Sequence, residues 1–285
     1  MMEFTKVGMQ TFIALGTGAV LFFTVPLVIA LIWCMKKKER FSTVLAGAAT
    51  FLLFALVLEK PIQNVLLFPT AMGMEEHVAS RFFAAHPVLL ALAAGLFPGV
   101  FEETGRLVAF KTVLKNRKNR ETSISHGIGH GGVEVMLILG VTYVTYISYA
   151  AMINAGTFGT VIDQVAAQAP DQVDAALTLA RQIPAMSFAD VGLNAMERVF
   201  AFLFHVGASM LVFYACKDKK RFWLYSLAVV LHTVIDFVGA SYLFEIGNVT
   251  MLMVEACAAV IGILTFCGAY FLLYKKEVPR EYEKV

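Results

Sequence analysis

Seven apolar stretches, each long enough to cross a bilayer, recur along this 285-residue chain, and no other feature restricts its fold so severely. A transmembrane helix needs about 20 predominantly apolar residues. The stretches fall at 8–35, 42–58 with a polar tail to 69, 87–110, 126–152, 194–216, 222–244 and 248–274. Lipid offers no partner to a backbone amide, so each stretch has to close its own hydrogen bonds as a helix. Composition agrees: 59% of the residues are hydrophobic and 15% charged, more apolar surface than one water-soluble core can hide. The expectation is an all-α protein, a polytopic membrane helical bundle of about seven transmembrane helices.

Four cationic clusters, Lys36 to Arg40, Lys115 to Arg120, Lys217 to Arg221 and Lys275 onward, follow the first, third, fifth and seventh stretches. With one crossing per stretch all four lie on one side, and the positive-inside bias makes that side the cytoplasm. The N-terminus is therefore expected outside and the C-terminus in the cytoplasm, in a multi-pass protein of the cell membrane. The first stretch has no small-residue cleavage site and runs straight into three lysines, which reads as a retained span. The net charge of +2 is then topological and gives no reason to expect nucleic acid.

Cys34, Cys216, Cys257 and Cys267 lack CxxC spacing and read as packing or lipid-facing residues. No repeat or low-complexity linker divides the chain, so residues 1–285 are expected to form a single transmembrane domain. Its one long connection, 153–193, lies on the outer side and is a candidate lid or binding loop. Apolar positions there recur at near-helical spacing on either side of Pro170. They fit an amphipathic segment on the outer membrane face, or an ordinary loop helix.

Polar residues interrupt four consecutive spans. Counted inward from the cytoplasmic ends at ~1.5 Å per residue, Glu102, Glu103 and His130 lie ~12 to 14 Å deep. Glu134, His205 and His232 lie ~17 to 18 Å deep and Asp236 ~22 Å, so all occupy one layer. Glu102 and Arg106, His130 and Glu134, His205 and Ser209, and His232 and Asp236 are each four apart, hence on one helix face. Each ionisable group near the bilayer centre costs ~2.5 to 3.5 kcal/mol. Glu102, Glu103, Arg106, Glu134 and Asp236 left unpaired would cost more than ~10 kcal/mol, comparable with a whole protein's net stability of ~5 to 15 kcal/mol. An ion pair with Arg106 answers for one glutamate; the other carboxylates need protons, water or a cation.

Carboxylates beside histidines, screened from bulk water, can hold a water molecule, take its proton and stabilise an oxyanion, which is the apparatus of peptide-bond hydrolysis. The set Glu102-Glu103-x-x-Arg106, Glu134, His205 with Ser209, and His232-x-x-x-Asp236, in that order on successive helices, resembles a known clan. It contains the CAAX prenyl endopeptidases, the bacteriocin-processing or immunity proteases and the PrsW-like glutamate proteases. The likeness is greatest to the YhfC-type intramembrane metalloproteases of bacteria and covers the third to sixth spans, a little over half the chain.

The resemblance implies a membrane peptidase acting on a membrane-embedded or membrane-associated peptide or protein. In it Glu102 activates water, Glu103 and Arg106 assist, and Glu134, His205, His232 and Asp236 complete the site. The chain departs from the CAAX pattern in having only Thr104 and Gly105 between Glu103 and Arg106, and in carrying Glu134 where that pattern ends in histidine. It departs from the PrsW-like pattern in carrying Arg106 for lysine and His130 for phenylalanine. His130 adds a nitrogen donor at the same depth, so His130, Glu134, His205 and His232 make a candidate shell for zinc. A metal-free glutamate mechanism stays open, and so do two rival functions for the same polar site. One is a proton-coupled secondary transporter; the other is a catalytically silent binding or immunity scaffold.

Smaller signals read more plainly. His126 is expected to be a solvated residue at the cytoplasmic edge, and Gly127, Gly129, Gly131 and Gly132 serve either close helix packing or a substrate backbone. Glu197 and Arg198 read as a rim ion pair, and Glu59-Lys60-Pro61 as the broken end of the second helix.

Overall fold

The computed structural model describes residues 4–277, and no strand occurs among them. In chain order its helices are α1 (Met9–Lys37), α2 (Phe41–Leu67), the short α3 (Val78–Ala85), α4 (Pro87–Lys111) and α5 (Glu121–Ala155). There follow the short α6 (Gly159–Gln168) and α7 (Val173–Gln182), then α8 (Phe188–Lys217), α9 (Lys219–Leu243) and α10 (Met251–Tyr274). All except α3, α6 and α7 are long and apolar enough to cross a membrane, which makes seven spans, one for each apolar stretch of the sequence. The part of the last cationic cluster beyond Glu277 lies outside the described residues.

Local chemistry sets the ends. Pro87 stands in the first turn of α4, where its missing amide hydrogen is no loss. The Thr250 hydroxyl accepts from the Met253 amide and caps α10. Gly156, at φ 71°, closes α5 in the left-handed conformation that glycine adopts without strain. Glu59-Lys60-Pro61 is not a broken end: α2 runs on to Leu67. A π-helical stretch, Leu52–Glu59, leads into the proline, so the hydrogen-bond ladder is already being reset where Pro61 has no amide hydrogen to give.

The chain divides into two compact units. The first comprises residues up to Leu27 and Val135–Arg198. Its core holds Leu15, Phe22, Tyr143, Ile153, Phe158, Ile162 and Ile183. The long connection forms α6 and α7 around a break at Pro170–Gln172, and their apolar sides turn into this core through Ile162 and Ala180. Asn154 clamps the start of the chain, donating to the Val7 carbonyl at 2.9 Å and accepting from its amide at 2.7 Å. Glu197 and Arg198 form the ion pair expected of them.

The second unit comprises Val28–Glu134 and the residues from Val199 on. Every residue from Glu121 to Gly132 of α5 is buried, which makes this segment the central rod of the unit. Its glycines let neighbours come to backbone contact. A Cβ on Gly129 would lie 1.8 Å from the Val44 carbonyl oxygen of α2, and one on Gly127 2.6 Å from the Val206 Cα of α8. The α4–α5 loop is tied to the start of α2, with Arg117 donating to Thr43 and Ser42, and Asn119 to Glu39. α4 packs along α9, and Phe110, Ile124, Ile128, Phe204, Phe213 and Ala228 fill the unit's core.

Candidate functional site

The polar residues of α4, α5, α8 and α9 that the sequence places at one depth all belong to this second unit, and they converge. Glu103 and Arg106 are entirely buried, Glu102 nearly so. Arg106 donates through Nη1 to Glu103 Oε1 at 2.6 Å, through Nη2 to His205 Nδ1 at 2.6 Å and through Nε to Ser209 Oγ at 3.3 Å. Its Nη2 also lies 3.9 Å from Glu102 Oε2. One guanidinium thus ties α4 to two turns of α8, which is what five fixed donors on a planar fork allow.

The imidazoles pair with the carboxylates. His130 Nε2 meets Glu102 Oε2 at 2.8 Å, and His205 Nε2 contacts Glu134. His232 Nδ1 lies 2.9 Å from Glu103 Oε1 and its Nε2 3.3 Å from Asp236 Oδ2. Ring centroids are 5.1 Å apart for His130 and His205 and 5.5 Å for His205 and His232, with Phe204 packed edge-on against both of the latter. A guanidinium has no lone pair to offer, so His205 Nδ1 accepts, and in the neutral ring the proton sits on Nε2, facing Glu134.

All eight residues singled out in the sequence, Glu102, Glu103, Arg106, His130, Glu134, His205, His232 and Asp236, therefore belong to one connected network. They are not equivalent within it. The donor atoms of Glu102, His130 and His205 lie within 4.8 Å of one another, close enough for one cation. His232 turns instead to Glu103 and Asp236, and Asp236 is the most open of the set, with its side chain 36% exposed.

Zinc suits this donor set, since two imidazoles and a carboxylate from three helices are ligands it takes readily. The charges agree. Glu102, Glu103, Glu134 and Asp236 carry four potential negative charges against the single guanidinium of Arg106. In this centre His130 Nδ1 and Glu103 Oε2 are buried with no hydrogen-bond partner among the described residues, and unmet polar atoms beside a carboxylate cluster leave a need that a cation or water answers.

Sequence reasoning missed His126. It is not a solvated edge residue but fully buried, with Nδ1 3.2 Å from Ser209 Oγ and Nε2 3.2 Å from Thr50 Oγ1. The residues just before it, Glu121 to Ser125, are themselves buried. The signal was present, because His126, His130 and Glu134 repeat every four residues and continue one stripe.

Fold and site together define a polytopic helical membrane protein with a buried carboxylate and imidazole centre. The family model for the YhfC intramembrane metalloproteases matches residues 21–269, and the chain belongs to that family. It is 30% identical over 273 residues to the uncharacterized membrane protein YhfC of Bacillus subtilis (strain 168), covering 94% of this chain and 96% of that protein. No solved structure matches the chain.

Proposed function

We propose that the chain is a metal-dependent intramembrane peptidase that hydrolyses a peptide bond in a membrane-embedded or membrane-associated protein or peptide. The observation that carries this reading is the grouping of Glu102, His130 and His205, three buried donors from three helices. Family membership points the same way. Those three residues would hold the ion, and zinc is the ion their chemistry favours. Bound there, zinc would polarise a peptide carbonyl and make water a better nucleophile at neutral pH.

The chain's own groups divide the remaining work. Glu134, in contact with His205, takes the proton of the attacking water and returns it to the departing amine. This assigns Glu102 to holding the ion, whereas the resemblance alone made it the base. Arg106 holds Glu103 in place and donates to His205 Nδ1, whose lone pair would pass from the guanidinium to the ion when one binds. His232, backed by Asp236, holds the same Glu103 oxygen. The apolar shell of Phe51, Phe110 and Phe204 around the histidines keeps bulk water out, which strengthens every charge interaction inside. The cationic ends of the spans support an N-terminus outside the cell, and with it a centre in the cytoplasmic half of the bilayer.

The test compares membrane-peptide profiles of cells making the native chain with cells making Glu134→Gln. The expected result is a set of fragments present only with the native chain. Identical profiles, with the variant folded and inserted, would sink the hydrolytic reading and favour proton-coupled transport.

A further inference from the structure

A chain of hydrogen bonds leaves Arg106 through Nε, while Nη1 and Nη2 face the carboxylates. Arg106 Nε donates to Ser209 Oγ at 3.3 Å, Ser209 Oγ faces His126 Nδ1 at 3.2 Å, and His126 Nε2 faces Thr50 Oγ1 at 3.2 Å. Thr50 Oγ1 donates to the Ala46 carbonyl at 2.8 Å. Both ends of this chain have a fixed sense. Arginine only donates, and the Thr50 proton is committed to a carbonyl that only accepts. The donors match the acceptors one to one in a single arrangement: Ser209 donates to His126 Nδ1, and His126 donates from Nε2 to Thr50.

We infer that His126 is a positioning residue of the centre, working as an uncharged Nε2–H imidazole that holds Ser209, and through Ser209 the Nε edge of Arg106. His126 is not among the three residues grouped for the ion, although its ring stacks beside that of His130, with centroids 6.2 Å apart. It acts through the guanidinium, which in turn orients Glu103 and His205. Three observations carry the inference. His126 is fully buried, its two nitrogens are both within hydrogen-bond distance of a hydroxyl, and its ring packs on Phe110 at 4.6 Å, which leaves it one orientation. Arg106 and His205 thereby form one wire toward Glu134, and Arg106 and His126 a second wire toward Ala46. Each imidazole is set in the same tautomer by a donor at Nδ1.

The activity part of the inference rests on the peptidase reading; the tautomer part does not, and the experiment separates them. The full-length chain is labelled with 15N-histidine in nanodiscs, and the His126 signals are identified by their loss in His126→Asn. The expected spectrum shows a protonated Nε2 and an unprotonated, hydrogen-bonded Nδ1, and Ser209→Ala shifts the Nδ1 signal. A proton on Nδ1, or a signal indifferent to Ser209→Ala, overturns the proposal.

In the second arm peptide cleavage is measured for His126→Phe and His126→Asn. His126→Phe keeps the ring's packing but not its hydrogen bonds, and it should lower kcat about ten-fold, within the worth of one hydrogen bond, with KM little changed. His126→Asn, which restores an acceptor and a donor, should recover most of that loss. Full activity in a folded His126→Phe variant overturns the positioning role. A native chain without any cleavage would instead sink the peptidase reading, and the spectrum would then decide this one alone.

Discussion

Arg106 and Glu103, three residues apart on α4, form a 2.6 Å ion pair in which neither side chain has any exposure to solvent. Breaking such a pair from one side leaves a bare buried charge, which costs ~3 to 5 kcal/mol. Arg106→Met should therefore destabilise the protein by about that much, read as a lowered unfolding temperature in detergent. Arg106→Lys keeps the charge but offers no planar fork, so it cannot serve Glu103, His205 and Ser209 together, and an intermediate loss is expected. An Arg106→Met protein as stable as the native one would mean that the pair is dispensable.

The roles given to Glu102 and Glu134 separate in a metal-binding experiment. Elemental analysis of gently purified protein should find about one zinc per chain, as four-coordinate sites of this donor type hold. Glu102→Gln and His130→Ala should weaken zinc binding by more than the roughly 10- to 100-fold that loss of an outer partner brings. Glu134→Gln should keep the metal and lose cleavage. Metal loss in Glu134→Gln with retention in Glu102→Gln would exchange the two assignments. Chelation should also lower thermal stability, since an ion bound at 100 times its Kd contributes ~2.7 kcal/mol.

The spans were legible in the sequence because length and apolarity alone determine them, and all seven apolar stretches recur as helices. The site was legible for a related reason. Ionisable groups are so costly in lipid that Glu102, Glu134, His205 and His232 had to face one another, and counting residues along four rods brought them to one level. What could not be read was the environment of the helix ends. His126 lies near the cytoplasmic edge of its stretch by residue count, but the turn before it is covered by the segment leading into α2 and by the loop carrying Arg117 and Asn119. Burial there comes from packing between distant segments, which periodicity does not encode. Pro61 misled for the opposite reason. A proline ends an ordinary α-helix, and nothing in LLFALVLE announces the π-helical stretch that lets the helix continue.

The crossing of α2 and α5 gives a prediction about packing alone. A Cβ on Gly129 would sit 1.8 Å from the Val44 carbonyl oxygen, and one on Gly47 2.0 Å from that of His126. Backbone cannot yield as a side-chain tip does, so Gly129→Ala should separate the helices and destabilise the protein by at least ~1 to 3 kcal/mol, the range for overpacking. Gly239 of α9 has open space around its missing Cβ. There Gly239→Ala should be neutral or stabilising by up to ~1 kcal/mol, through helix propensity alone. Unfolding curves of the two variants in one detergent decide the matter, and equal stabilities would contradict the close crossing.

The orientation expected from the cations is open to a direct chemical test. Glu76, between α2 and α4, and Lys118, between α4 and α5, are both exposed and stand at opposite ends of α4. If the cationic loops face the cytoplasm, as the bias of Lys and Arg requires, a cysteine at Glu76 is reached by a membrane-impermeant thiol reagent added to intact cells. One at Lys118 is reached only after lysis. The four native cysteines are free and partly exposed, so each single cysteine has to be placed in a chain from which Cys34, Cys216, Cys257 and Cys267 have been removed. Labelling of Lys118→Cys in intact cells would invert the protein. The buried centre, counted from the same loops, would then lie in the outer half of the bilayer, and its substrate would have to approach from the other side.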